Sequence, residues 1–208
     1  MKRIIGASSL LADVIVPKKS YGVVIFAHGS GSSRLSPRNM QVATHLNHAG
    51  FATILFDLLS EGEAKDRRNV FDISLLGSRM SEAIAFAQKA LPGQSIGLFG
   101  ASTGAAAALL AAAQFGDGIS AVVSRGGRPD LALDVLDRVL APTLFIVGGD
   151  DAAVVEMNQK ALAALRCIKC LEIVPGATHL FEEPGTLDRV IELATGWFNQ
   201  HLVPRRLR

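Results

Sequence analysis

The stretch Ser95-Ile96-Gly97-Leu98-Phe99-Gly100-Ala101-Ser102-Thr103-Gly104 constrains this chain more than any other. An apolar run leads directly into Gly-x-Ser-x-Gly, and an alanine-rich helix former follows at once. A strand, a sharp turn and a helix joined without a linker bring their backbones very close. Gly100 and Gly104 remove the side chains that would collide there, and Ala101 and Ala105 keep the rest small. Ser102 is then expected in a strained backbone conformation, its hydroxyl held at the tip of the turn and at the positive end of a helix. Three fixed residues alone recur by chance, so the strand before them and the helix after them carry the weight.

The rest of the chain supports a sheet around that element. Two apolar stretches flank Ser8-Ser9 between residues 3 and 16 and predict an N-terminal β-hairpin ending at Pro17. Nearly continuous apolar runs at 21–27, 51–56, 119–124, 143–147 and 168–174 have the character of strands buried on both faces. Helical patterns fall at 37–49, 73–90, 103–115, 131–140, 152–165 and 184–201. Residues 58–69 are charged and irregular, and form the longest predicted loop. Alternating strands and helices with short connections predict an α/β fold, a mostly parallel sheet with helices on both faces. Ligands of such sheets bind beyond the carboxyl ends of the strands, where His28, Asp57, Ser102, Arg125, Asp151 and His179 all fall.

Composition narrows the class further. With 208 residues, 49% of them hydrophobic, and a mean hydropathy of +0.32, the chain suits one compact domain, residues 1–208, with a large core. The net charge of +2 is small and the basic residues are dispersed, which argues against nucleic acid as a partner. The exception is Pro204-Arg205-Arg206-Leu207-Arg208, which reads as a solvated tail. Residues 1–5 imitate a signal peptide, but Asp13 and Lys18-Lys19 interrupt the apolar stretch, and no run is long enough to span a bilayer. Two cysteines imply no disulfide framework, so the expected location is the cytoplasm. Cys167 and Cys170 form a C-x-x-C at the start of a strand rather than of a helix. They should face opposite sides there and act as ordinary packing residues.

A serine hydroxyl is a poor nucleophile until a base takes its proton, and the base works best when a carboxylate orients it. Ser102, then an acid after the penultimate strand, then His179 after the last strand is the chain order of the α/β-hydrolases. Two neighbouring acids, Asp150 and Asp151, compete for the middle role, and Asp150 could instead serve as a turn or cap residue. Acyl transfer also needs backbone N–H donors for the carbonyl oxygen. Thr103, directly after Ser102, is one candidate, and the loop after the 21–27 strand should supply the other.

The segments His28-Gly29-Ser30-Gly31, Gly100-Ala101-Ser102-Thr103-Gly104, Gly148-Gly149-Asp150-Asp151 and Ala177-Thr178-His179-Leu180-Phe181 resemble the dienelactone-hydrolase-like group of the α/β-hydrolases, across nearly the whole chain. The resemblance implies a Ser102–Asp151–His179 triad, Asp151 being selected by the family's Gly-x-x-Asp-x-x-Val spacing (Gly148, Asp151, Val154). It also implies an oxyanion hole from Ser30 and Thr103, with His28 as a structural anchor of that loop. The expected activity is hydrolysis of small soluble carboxylic esters through an acyl-enzyme on Ser102, without a metal or organic cofactor. The expected partner is a small-molecule ester, acting on a monomer or small homo-oligomer. Dienelactone hydrolases carry cysteine in the elbow, so Ser102 favours ordinary esters over dienelactone. Thioester hydrolysis is the near alternative, and a non-catalytic receptor or interaction module the more distant one. A third reading, a helper in phosphoribosyl chemistry, is motivated by Arg125, Arg128 and a related subgroup joined to phosphoribosyltransferases; no such second domain is expected within this sequence. Arg125 is a further candidate for binding an anionic substrate, or else for pairing with Asp57, Glu61 or Glu63. Only residues 125–142 are free to form a lid, which leaves long acyl chains uncovered and predicts a preference for short esters.

Overall fold

In the computed structural model, residues 1–202 are described, and the terminal arginines read as a tail lie outside them. Eight strands form one sheet: β1 (Lys2–Ile5), β2 (Leu10–Ile15), β3 (Gly22–Ala27), β4 (Ala52–Phe56), β5 (Ser95–Ala101), β6 (Ala121–Arg125), β7 (Thr143–Gly148) and β8 (Lys169–Val174). Their order is β1-β2-β4-β3-β5-β6-β7-β8. The first hairpin and the β2–β4 pairing are antiparallel, and every other pairing is parallel. Helices α1 (Pro37–His48) and α6 (Thr186–His201) cover one face. Helices α3 (Ile73–Ala90), α4 (Thr103–Phe115) and α5 (Ala152–Ala164) cover the other. Among the described residues no helix is long and apolar enough to cross a membrane.

The buried strands sort their side chains with period two. Val23, Ile25 and Ala27 enter the layer beneath α3 and α4, whereas Val24 and Phe26 enter the layer beneath α1 and α6. Phe26 and its neighbour Phe99 on β5 stack with ring centroids 4.9 Å apart, a contact that adds to simple burial. The two cysteines are also parted: Cys167, in the bend before β8, packs against one layer and Cys170, on β8, against the other, and burial raises the pKa of both thiols. Neither is a reactive pair.

Two segments depart from the sequence reading. Residues 58–69 are not wholly irregular, for they contain a 3₁₀ turn, Glu63–Lys65, and the short helix α2 (Arg67–Val70). Asp66 caps α2 by accepting from Arg68 N–H, and Glu63 is tied to Arg79 of α3 at 2.8 Å. Between β6 and β7 there is only a 3₁₀ segment, Pro129–Arg138, kinked at Ala132. No lid stands there.

The elbow is packed backbone against backbone. A Cβ on Gly100 would lie 2.4 Å from Ala105 Cα, and one on Gly104 would lie 2.4 Å from the carbonyl oxygen of Ala27. In both cases the obstacle is backbone and cannot rotate away. Gly196, in α6, has open space around its Cβ position. Gly100→Ala and Gly104→Ala should therefore each destabilise the protein by about 1–3 kcal/mol or more. Gly196→Ala should stabilise it by about 0.5–1 kcal/mol. Urea unfolding of the three variants measures both signs, and equal behaviour of Gly104→Ala and Gly196→Ala would refute the steric account.

Candidate active site

At the end of β5, Ser102 adopts φ 51° and ψ −123°, a region that non-glycine residues rarely occupy. Its backbone is bonded on both sides. Ser102 N–H donates to Arg125 O at 3.3 Å, and its carbonyl accepts from Ala105 N–H and Arg128 N–H, each at 3.0 Å. Surrounding structure thus over-determines the strained turn, as a strained functional residue requires. Among the described residues Ser102 Oγ makes no hydrogen bond, which suits a hydroxyl whose catalytic bond tightens only with substrate present.

The loop after β3 lies against the elbow. A Cβ on Gly29 would fall 2.9 Å from Ser102 Cβ and 3.6 Å from its Oγ, so only glycine lets the loop approach this closely. His28 fixes the loop. Its Nε2 accepts from Leu58 N–H at 3.0 Å, which leaves Nδ1 protonated and donating to Gly29 O, also at 3.0 Å. Burial lowers its pKa and outweighs the opposing hydrogen bond to Gly29 and the charge of Asp57. His28 is thus a neutral tether between two loops. Thr103 is buried at the first turn of α4, where backbone N–H groups lack intrahelical partners, and Ser30 stands exposed on the facing loop.

Asp151 and His179 follow adjacent strands, β7 and β8. A Cβ on Gly148 would lie 2.4 Å from Ala177 O, so glycine is needed for the β7 and β8 loops to meet. Asp150 N–H donates to Ala177 O at 3.0 Å and joins them. Asp151 occupies the N-cap position of α5 yet gives no side-chain cap bond. Its Oδ2 instead lies 2.7 Å from His179 Nδ1, whereas the Asp150 side chain is exposed. With Nδ1 turned to the carboxylate, His179 Nε2 is left as an acceptor. A Cβ on Gly126 would lie 3.6 Å from His179 Cε1, so the imidazole rests against the residue after Arg125, the acceptor of Ser102 N–H. One backbone segment thus contacts both Ser102 and His179.

Arg125 is placed otherwise than the sequence suggested. Its side chain turns into the α1/α6 layer and is buried, with Nη2 at 3.5 Å from Asn39 Oδ1 and the guanidinium 5.8 Å from the Phe181 ring centroid. Burial, and then the charge of Arg38, lower its pKa to about 10. Of the carboxylates expected to pair with it, Asp57 is engaged with Arg34 and Glu63 with Arg79. Arg128 is held by Asp130 in a two-pronged pair at 2.8 and 2.7 Å.

A cavity of about 600 Å³ opens beside Gly29, Ser30 and Thr103. Its other walls come from the β1–β2 turn (Ser9, Leu10), from Leu58 and Leu59 after β4, and from Val70 and Leu76. The hairpin and the charged segment thus both contribute apolar residues to this cavity. No single motif announces it, because three remote stretches build it together. The Arg34–Asp13–Asp57 cluster on its wall was likewise invisible in the sequence.

Residues 22–145 match the family model described as alpha/beta hydrolase fold. A dienelactone hydrolase from Anabaena variabilis is 47% identical, aligns over 97% of this chain and 98% of its own, and superposes with a TM-score of 0.93. The chain belongs to the α/β-hydrolase family. Within it, this hydrolase falls in the dienelactone-hydrolase-like group. Est1E from Butyrivibrio proteoclasticus, 18% identical and covered over 96% of this chain and 98% of its own, shares the fold with a TM-score of 0.83. Two Mycobacterium tuberculosis proteins provisionally named phosphoribosyl transferases are 55% identical over 199 residues. That match takes in 95% of the hydrolase but only 45% of each relative, so the chain spans less than half their length.

His28 gives the site a measurable pH response. Its depressed pKa means that the folded protein binds fewer protons than the unfolded chain once pH falls to the unfolded value near 6.5. Its contribution to stability is complete above that value and is lost as pH drops through the lowered folded pKa. The melting temperature should decline on acidification below pH 6.5, and His28→Gln should flatten that part of the profile. A parallel profile in the variant would show that His28 is not the neutral tether.

Proposed function

We propose that this α/β-hydrolase cleaves small carboxylic esters through an acyl-enzyme on Ser102, with His179 as general base and Asp151 as its orienting carboxylate. The reading is carried above all by Ser102 at positive φ, with its backbone fully bonded and its hydroxyl free. A fold has no packing reason to keep a serine in that state. The 2.7 Å contact between His179 Nδ1 and Asp151 Oδ2 at the same sheet edge supports the other two roles. In this scheme Nε2 takes the Ser102 proton as Oγ attacks the ester carbonyl. The backbone N–H groups of Thr103 and Ser30 receive the developing oxyanion. His179 then returns the proton to the leaving alcohol, and water repeats the sequence to release the acid. Thioesters would be turned over by the same steps.

The phosphoribosyl transferase name belongs to relatives more than twice as long, and nothing requires it of these residues. Arg128, one of the two arginines that motivated a phosphate reading, is already paired with Asp130, and Arg125 is buried under Phe181. Hydrolysis is the better supported activity.

Ser102→Ala should abolish hydrolysis of p-nitrophenyl acetate without lowering the melting temperature. Asp151→Asn should cut kcat by up to ~10⁴-fold, because the imidazole loses its orientation and tautomer. Asp150→Asn should stay within a few-fold of the parent. A fluorophosphonate probe should label Ser102, as located by mass spectrometry. Activity surviving in Ser102→Ala would sink the reading, and reversed effects at 150 and 151 would exchange the acids.

A further inference from the structure

Resting on that hydrolytic reading, we propose that the cavity beside Gly29, Ser30 and Thr103 receives an uncharged, predominantly apolar group of the substrate, such as an arylalkyl chain. An anionic group is disfavoured by the acidic side chains around it. The cavity measures about 600 Å³, far more than an acetyl group fills and within the usual range for sites that enclose a small organic molecule. It begins at the nucleophile's edge, since Gly29 is in contact with Ser102. Its floor is built from Leu10, Leu58 and Leu76, each no more than 2% exposed and each part of the hydrophobic core. A group bonded to the ester carbon or to its alcohol oxygen could enter directly from the scissile bond.

The charge around the cavity decides between neutral and anionic ligands. Its ionised lining side chains are Arg34, Asp57 and Glu61. Arg34 already faces two carboxylates: Nε contacts Asp13 at 3.2 Å and Nη1 contacts Asp57 at 2.7 Å, while its backbone N–H donates to the other Asp57 oxygen at 2.8 Å. A carboxylate or phosphate would leave water to meet two acids and a cation that both neighbours have neutralised. That is unfavourable on both desolvation and Coulombic grounds. Arg125, the cation that might have argued the other way, is not among the lining residues. An apolar group meets leucines and needs no partner, and its burial is favourable in proportion to area.

The test separates this inference from the reading beneath it. One arm compares p-nitrophenyl 3-phenylpropanoate, p-nitrophenyl acetate and the anionic p-nitrophenyl hemisuccinate; a second compares 2-phenylethyl acetate with ethyl acetate. In at least one arm the aryl substrate should exceed its small counterpart in kcat/KM by ten-fold or more, which also tells whether the acyl or the alcohol side enters. The hemisuccinate should be the poorest acyl donor. Ala64 is exposed and Val70 half-buried on the cavity wall, so Ala64→Trp and Val70→Trp should fold. Both should erase the aryl preference. Equal use of large and small esters in both arms, preference for the hemisuccinate, or a preference that survives both tryptophans would overturn the inference. Binding is read separately with 3-phenylpropanamide, which should raise the melting temperature of Ser102→Ala protein but not of the Ser102→Ala/Ala64→Trp double variant. Stabilisation without turnover of any ester would retire the hydrolytic reading and keep the cavity assignment. Turnover without stabilisation would do the reverse.

Discussion

Everything at this site depends on two backbones that touch with no room for a methyl group. The first turn of α4 presses against the end of β3, where a Cβ on Gly104 would lie 2.4 Å from Ala27 O and 2.5 Å from His28 O. That approach aligns the start of the helix with the loop that begins at His28, and Thr103 and Ser30 line the same cavity. One methyl group at residue 104 would push the two apart. The neighbouring glycines make the same kind of bargain. Gly100 admits α4, Gly29 admits the loop, and Gly148 admits the turn that carries His179.

Such steric demands are local, and for that reason the elbow and the sheet were legible in the sequence. Gly-x-Ser-x-Gly between an apolar run and an alanine run leaves few alternatives, and the order serine, acid, histidine follows from strand order alone. Asp150 and Asp151 could not be separated by pattern without appeal to a family, since both follow the same strand. What separates them is that Asp151 stands at the N-cap yet turns its carboxylate to His179.

Other features needed the assembled chain. Strand alternation could place Arg125 at a sheet edge but could not say that Asn39 and Phe181, from remote parts of the sequence, would enclose it. Nor does a charged stretch like 58–69 disclose that its leucine end floors a cavity, or that Asp66 and Glu63 pin it into short helical turns. The segment with the least regular composition turned out to shape the substrate's surroundings.

The tether through His28 links those surroundings to the chemistry. Its imidazole bridges the backbone of Leu58, a wall of the cavity, to the carbonyl of Gly29, the residue that abuts the nucleophile. The ring that meets Leu58 thus also sets the loop carrying Ser30. On the proposed reading, occupancy of the cavity would be coupled to the alignment of Gly29 and Ser30 through one neutral heterocycle. Discrimination between substrates would then be expressed in the rate of bond making as much as in the strength of binding, and a poorly fitting ester could be held yet turned over slowly.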